Sequence, residues 1–267
     1  MIKNIKLFVN SNKKSFEVAK LVQDKFKSNG FNITDKNYDL AIAVGGDGAF
    51  LRMVKNNSFS DEPFYVGINS GTLGFMQEVK VDEINKFIEE LKDGKFAVDV
   101  IGIQETEVNH KEGNSKFCSL NEIVIRDENF RVLKAGISIN RSEDLLENFV
   151  GDGILVATSS GSTAHNLSYG GSIVFPNFST LQITPLGPIN SKSYRTLPNS
   201  IIIPDHLKII IEPDNKNLMV TIDGENNTYQ DVENITTEIA NKKIKVLRFS
   251  HYNFPQKINE KLLSNEN

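Results

Sequence analysis

The sequence predicts an α/β N-terminal domain followed by a β-rich, β-sandwich-like C-terminal domain. Two observations carry this. Up to about residue 98, short apolar runs alternate with amphipathic stretches of helical period, the rhythm of a parallel sheet wrapped by helices. Beyond it, apolar residues recur at every second position, the rhythm of antiparallel strands. The expected divisions are 1–98, 99–249 and a C-terminal segment 250–267, with no internal repeat or low-complexity block.

In the first part, Ile5 to Val9 reads as a strand and Ser15 to Lys27 as a helix, with Phe16, Ala19, Val22 and Phe26 as its buried stripe and Gly30 as its stop. Leu40 to Val44 is a continuous apolar run ending in glycines, the mark of a strand buried on both faces, and Phe64 to Ile68 repeats it. Asp82 stands where an N-cap belongs, ahead of the stripe Ile84, Phe87, Ile88 and Leu91, and Gly94 closes that helix. The second part offers strands at Val98–Val108, Leu120–Ile125, Leu133–Ile139 and Ile244–Phe249. Shorter ones are expected at Ile154–Ala157, Leu181–Thr184, Ile201–Ile203, Lys208–Ile211 and Met219–Ile222. One helix-like stretch interrupts them near Thr163 to Tyr169, and the polar tail from Ser264 is expected to fray.

Composition narrows the classes. The chain is 39% hydrophobic and 24% charged with a net charge of −4, which suits a soluble globular protein and argues against a nucleic-acid partner. One cysteine, Cys118, permits no internal disulfide, and a reducing cytoplasm is the expected setting. Neither a signal peptide nor an apolar run of membrane-spanning length is expected, so no membrane partner is. The four histidines are scattered, so no protein-held metal is expected.

Four segments bear chemistry. Gly45-Gly46-Asp47-Gly48 follows a buried strand, where open α/β sheets place ligands. Its glycines let backbone amides approach a phosphate, while Asp47 would repel one unless it binds a metal or accepts a proton. A glycine turn with a hydrogen-bonding Asp explains the motif equally well. A second cluster, Asn69 to Phe75, ends the next strand and reads as a turn or a ligand loop. Asn121-Glu122 interrupts an apolar strand, and a solvated face is the expected reason, although an amide there could also read a base edge. Gly151-Asp152-Gly153 leads through an apolar strand into a hydroxyl-rich loop ending Ser160 to Ser168, suited to a polar or anionic ligand or to ordinary N-capping. Neither a dinucleotide Gly-x-Gly-x-x-Gly nor a phosphate loop of the Gly-x-x-x-x-Gly-Lys type is present.

In this order these motifs resemble the NAD kinase family: Gly45-Gly46-Asp47-Gly48, then Asn69-x-Gly71-x-Leu73-Gly74-Phe75, then Asn121-Glu122, then Gly151-Asp152-Gly153 with Ser160-Gly161-Ser162-Thr163-Ala164. The first is shared with lipid kinases and phosphofructokinases, and the later three narrow the family. The resemblance implies an N-terminal nucleotide-binding domain, an NAD-binding β-rich domain, and a final segment returning to the first. It implies a cytoplasmic NAD kinase that uses ATP, or polyphosphate, with Mg²⁺ or another divalent cation. Asp47 would be the catalytic base for the 2′-hydroxyl of the adenosine ribose, with Gly45, Gly46 and Gly48 at the phosphates. The motif residues Asn69, Gly71, Leu73, Gly74 and Phe75 would join the nucleotide-binding set. Asn121, Ser160, Thr163 and Ala164 would hold the adenine side, with Glu122 beside them and with His165 and Ser168 completing the loop's contribution. Asp152 and Ala164 would meet the nicotinamide side, Asp152 from a neighbouring subunit of a homodimer or homotetramer, and Asp223 matches an acidic position near the reacting ribose. Ala49, Val150, Ser159 and His165 depart from the usual Thr, basic residue, Pro and Tyr.

Overall fold

The computed structural model describes residues 2–71 and 74–264, so the expected nucleotide contact Leu73 and the tail 265–267 lie outside the described residues. Internal contacts divide the chain into one unit of residues 1–100 with 242–267 and a second of 101–241.

The first unit runs β1 (Asn4–Val9), α1 (Lys13–Ser28), β2 (Asn32–Ile33), β3 (Leu40–Gly45), α2 (Asp47–Asn56), β4 (Phe64–Asn69) and α3 (Ile84–Asp93). The strands form a parallel ladder in the order β2-β1-β3-β4. β3 is buried along its whole length, as its unbroken apolar run requires. Helix α1 is capped by Asn12, whose side chain accepts from the Ser15 amide at 2.8 Å. Its inward face is Ser15, Val18, Ala19, Val22 and Phe26, which corrects the expected stripe: Phe16 is 57% exposed. Ser15 takes the inner position because its hydroxyl meets that of Ser70 at 2.8 Å, and this turns Phe16 outward. Asp82 also departs from its expected role. It lies inside a short 3₁₀ turn, Val81–Glu83, where the Glu83 carboxylate reaches back to the Lys80 amide at 3.0 Å and does the capping. Gly94 closes α3 at φ +66°, as expected.

The chain continues through β5 (Ala97–His110), β6 (Gly113–Ser119), β7 (Glu122–Asp127), β8 (Leu133–Ile139), β9 (Leu145–Gly151), β10 (Gly153–Thr158) and α4 (His165–Ser168). There follow β11 (Thr180–Leu186), β12 (Ile201–Pro204), β13 (Ile209–Pro213), β14 (Leu218–Ile222), β15 (Glu225–Tyr229), β16 (Val232–Arg248) and α5 (Phe254–Ile258). In the second unit one antiparallel sheet has the order β12-β11-β10-β7-β14-β15, and the facing sheet joins β16, β13, β8 and β9, with β5 and β6 attached to β16. Alternate residues such as Ile123, Ile125, Ile154, Val156, Ile209 and Ile211 fill the space between the sheets, giving the sandwich its core. The last part of β16 belongs to the first unit, where Lys245 and Val246 pair parallel to Phe64 and Tyr65 of β4. Absent from the expected set are the two-residue β2, the part of β16 before Ile244, and β6, β9 and β15; the last three carry mostly exposed or half-buried residues and lack a strong apolar alternation. None of the helices among the described residues is long and apolar enough to cross a membrane.

Candidate functional site

In the first unit the glycine turn sits between a wholly buried strand and a helix start. Gly46 caps α2 and Asp47 opens it, so the carboxylate lies where the helix dipole favours negative charge. Both carboxylate oxygens are held: Oδ2 accepts from the Phe75 amide and Oδ1 from the Met76 amide, each at 2.9 Å. The two segments touch so closely that a Cβ on Gly74 would stand 1.9 Å from Asp47 Oδ1, which explains the glycine by space alone. Asn69, itself buried, shapes the intervening loop: its amide donates to the Gly71 carbonyl at 2.7 Å and accepts from the Gly71 N–H at 2.9 Å. Thus Gly45, Gly46, Asp47 and Gly48 are brought together with Asn69, Gly71, Gly74 and Phe75. If Asp47 is the base that the resemblance implies, Gly74→Ala, by displacing its carboxylate, is expected to reduce turnover on the order of 100-fold, since small misplacements of a reacting group have that effect. Steady-state kinetics on the folded variant checks this, and a parental rate would contradict the close approach.

In the second unit, Asn121 and Glu122 are each 7% exposed, so the expected solvated face is corrected. Ile123 and Ile125 point into the sandwich, which leaves Glu122 on the other face of β7 with Val124. There β7 pairs with β10 and β10 with β11, aligning Glu122 with Ala157 and Ala157 with Gln182. The loop after β10 folds over this face and is fastened to it. Thr184 donates to Asn166 Oδ1 at 2.6 Å, Gln182 exchanges hydrogen bonds with the Ser172 backbone at 2.7 and 3.1 Å, and the Ser162 hydroxyl accepts from the Val174 amide at 3.0 Å. A Cβ on Gly161 would stand 2.0 Å from the Asn121 carbonyl oxygen, so this loop can lie flat on the Asn121 backbone only with glycine there. Ser160 is consequently buried, Thr163 and Ala164 are half-buried, and His165 and Ser168 are exposed beside them.

Asp223 anchors the other side of the pair. β14 and β15 are joined by the two-residue turn Asp223-Gly224, with φ of +45° and +88°, the conformation a tight hairpin demands. That turn aims the carboxylate at three backbone amides, Leu120 and Asn121 at 2.8 Å and Glu122 at 3.2 Å. Among the described residues Asn121 Oδ1 and Glu122 Oε2 are buried without a hydrogen-bond partner, polar atoms that a bound polar group could satisfy. Asp152 is not brought to this group: it is exposed at the junction of β9 and β10, the opposite end of β10 from Thr158.

Burial, reinforced by the Asp223 charge, pushes the Glu122 carboxyl up to about 8. Because the folded value is raised, the neutral form favours folding fully below the unfolded value, and this contribution is lost as pH rises through about 8. Glu122→Gln, which does not titrate, should therefore gain melting temperature relative to the parent between about pH 5 and 8.5. A constant offset across that range would contradict the assignment. Partial burial, with Arg126 nearby, lowers the His165 value from 6.5, so the ring is neutral at physiological pH.

Comparison with known proteins decides the family. The ATP-NAD kinase N-terminal domain matches residues 5–96 and the ATP-NAD kinase C-terminal domain matches residues 120–248. The chain belongs to the NAD kinase family. It is 38% identical to the NAD kinase of Finegoldia magna, over 92% of this chain and 93% of that protein, and 36% identical to the NAD kinase of Streptococcus gordonii, over 97% and 94%. In fold it is similar to yeast NADH kinase solved with NADH, at 20% identity and a TM-score of 0.84, covering 100% of this chain and 89% of that one. An Archaeoglobus fulgidus NAD kinase solved with ATP superposes with a TM-score of 0.75 at 17% identity, covering 97% and 98%. Beyond the residues expected from the sequence, the Met76 amide fastens the segment after β4 to Asp47, and the buried side chains Asn166, Gln182 and Thr184 fasten the loop after β10. For Asn166, Gln182 and Thr184 the only signal was polar type within apolar strands and loops, and Met76, acting through its backbone N–H, carried none.

Proposed function

We propose that the protein is an NAD kinase that transfers the γ-phosphoryl group of ATP, or a phosphoryl group of polyphosphate, to the 2′-hydroxyl of the adenosine ribose of NAD, giving NADP. The observation that carries the chemical part is Asp47, fixed by the Phe75 and Met76 amides at the start of α2. Each carboxylate oxygen has a second lone pair, so the group can still accept a hydroxyl proton while the two amides fix its direction. Gly45, Gly46 and Gly48 supply close backbone approach for phosphate. In-line phosphoryl transfer depends on this kind of positioning and on charge neutralisation more than on covalent catalysis.

Among the described residues no group of three or more His, Cys, Asp or Glu side chains could hold a metal ion. We assign the divalent cation to the donor phosphates, where Mg²⁺ would screen their charge. On the acceptor side, the free Asn121 Oδ1 suits the exocyclic amino group of adenine, the donor that an amide reads bidentately together with the ring nitrogen. Glu122, Ser160, Thr163, Ala164, His165 and Ser168 complete this binding set, and Asp223 shapes it. We assign Asp152 to the nicotinamide side of a neighbouring subunit, in a homodimer or homotetramer, because its exposed carboxylate stands apart from the rest of the set.

A substrate panel tests the reading. Purified protein with ATP and magnesium should phosphorylate NAD and leave diacylglycerol, sphingosine and fructose 6-phosphate untouched. Transfer to a lipid or sugar phosphate in preference to NAD would overturn it, and binding of NAD without any transfer would mark a non-catalytic sensor.

A further inference from the structure

The segment that holds Asp47 is itself held, from its carbonyl side, by a buried lysine. Lys257 lies on α5, and its ammonium donates to the Gln77 carbonyl at 2.5 Å and to the Phe75 carbonyl at 3.5 Å. The Phe75 and Met76 amides, on the same three residues, bind the Asp47 carboxylate. The Phe75 and Phe254 rings, 6.3 Å apart between centroids, bring the start of α5 against the same segment. Lys257 is only 8% exposed, and burying an ammonium is costly unless it is paired.

Its pairing is specific. Glu78, 3% exposed, stands 3.6 Å from the Lys257 ammonium and 3.3 Å from the Arg248 guanidinium, and Arg248 also bonds Asp99 at 2.7 Å. Charges thus alternate along Asp99, Arg248, Glu78 and Lys257, which together sum to zero, and Asp47 adds one more negative group felt by Lys257. Tyr252 places its ring 4.9 Å from the ammonium, and Lys80, Glu83, His251 and Glu260 line the adjoining cavity of about 130 Å³. Simple stabilisation of a helix C-terminus would need no such burial, since an exposed lysine serves that purpose.

We infer that Lys257 is a positioning residue for Asp47, tying down the Phe75–Gln77 backbone so that its amides keep the carboxylate aimed. The kinetic side of this inference rests on Asp47 being the base proposed above, whereas the structural side does not. Burial pushes the Lys257 ammonium down to about 8, opposed by Glu78, so the tie weakens as pH rises through that value.

The experiment uses the full chain with Lys257→Gln, which can donate to a carbonyl but carries no charge, and Lys257→Arg, which keeps the charge at all accessible pH. The amide NMR signals of Phe75 and Met76 are recorded with kcat, the KM for NAD and the pH profile. Lys257→Gln should shift both amides and speed their exchange, and lower kcat about 10- to 100-fold with the KM within about twofold. The parent should show an alkaline limb near pH 8, and Lys257→Arg should retain most of the rate and lose that limb. Unchanged Phe75 and Met76 amides in Lys257→Gln would overturn the inference, as would perturbed amides with an unchanged kcat. If Lys257→Gln does not fold, a folded Lys257→Arg that keeps the parental alkaline limb overturns it instead. Failure of the Asp47 assignment is distinguishable, because it would show as activity in Asp47→Asn while these amide shifts stand.

Discussion

Asp47→Asn is expected to bind NAD with near-parental affinity and to form NADP about 10²- to 10⁴-fold more slowly, the usual cost of removing a general base. The substitution is nearly isosteric. An Asn amide retains one oxygen to accept from either Phe75 or Met76, while its NH₂ group faces the other N–H, donor against donor. The held geometry therefore loosens on one side, and the loss of proton-accepting capacity is complete. Titration of NAD binding beside steady-state turnover separates the two effects. Near-parental turnover would remove Asp47 from the chemistry, and lost binding with retained maximal rate would assign it to substrate affinity.

The second large effect is on stability. Arg248→Met should destabilise the protein by about 3–5 kcal/mol, the cost of breaking a buried ion pair by removing one partner. The Arg248 side chain is 6% exposed, bridges Glu78 and Asp99, and stacks 4.2 Å from the Tyr252 ring centroid. Without it the Glu78 carboxylate, 3% exposed, is left with the Phe249 amide at 3.1 Å and the Lys257 ammonium alone. Methionine preserves much of the apolar volume, so the loss reports the charge more than a cavity. Thermal unfolding should show a midpoint lower by on the order of 10 °C, and one within about 2 °C of the parent would mean that the cluster contributes little.

The reach of the sequence is clear at Asp47 and ends one step beyond it. An unbroken apolar run closing in glycines suffices to place the turn at the end of β3, because burial on both faces and conformational freedom are local properties. The partners of Asp47 are not local. Phe75 and Met76 lie 28 and 29 residues further on and act through backbone N–H groups that every residue possesses, so although Phe75 falls in a motif, no side-chain pattern marks either as a partner of Asp47. Lys257 meets Gln77 across 180 residues, again at a backbone atom. Asn121 and Glu122 read as solvated because two polar residues usually are. What buries them is the glycine at 161 and the hairpin turn at 223, each distant in sequence. Phe16 failed for a related reason, since helical period alone selects several faces and the Ser15 to Ser70 contact chooses among them. The strands β6 and β15 escaped because they carry few buried side chains.

The central claim is that this chain places a phosphate on the adenosine ribose of NAD. The most direct measurement is the identity of the product formed by purified protein with NAD, ATP and magnesium, resolved by phosphorus NMR and by its use in an NADP-specific dehydrogenase. The account predicts NADP phosphorylated at the 2′-position, formed in proportion to ADP. ADP release without NADP, or phosphate at any other hydroxyl of NAD, would contradict it.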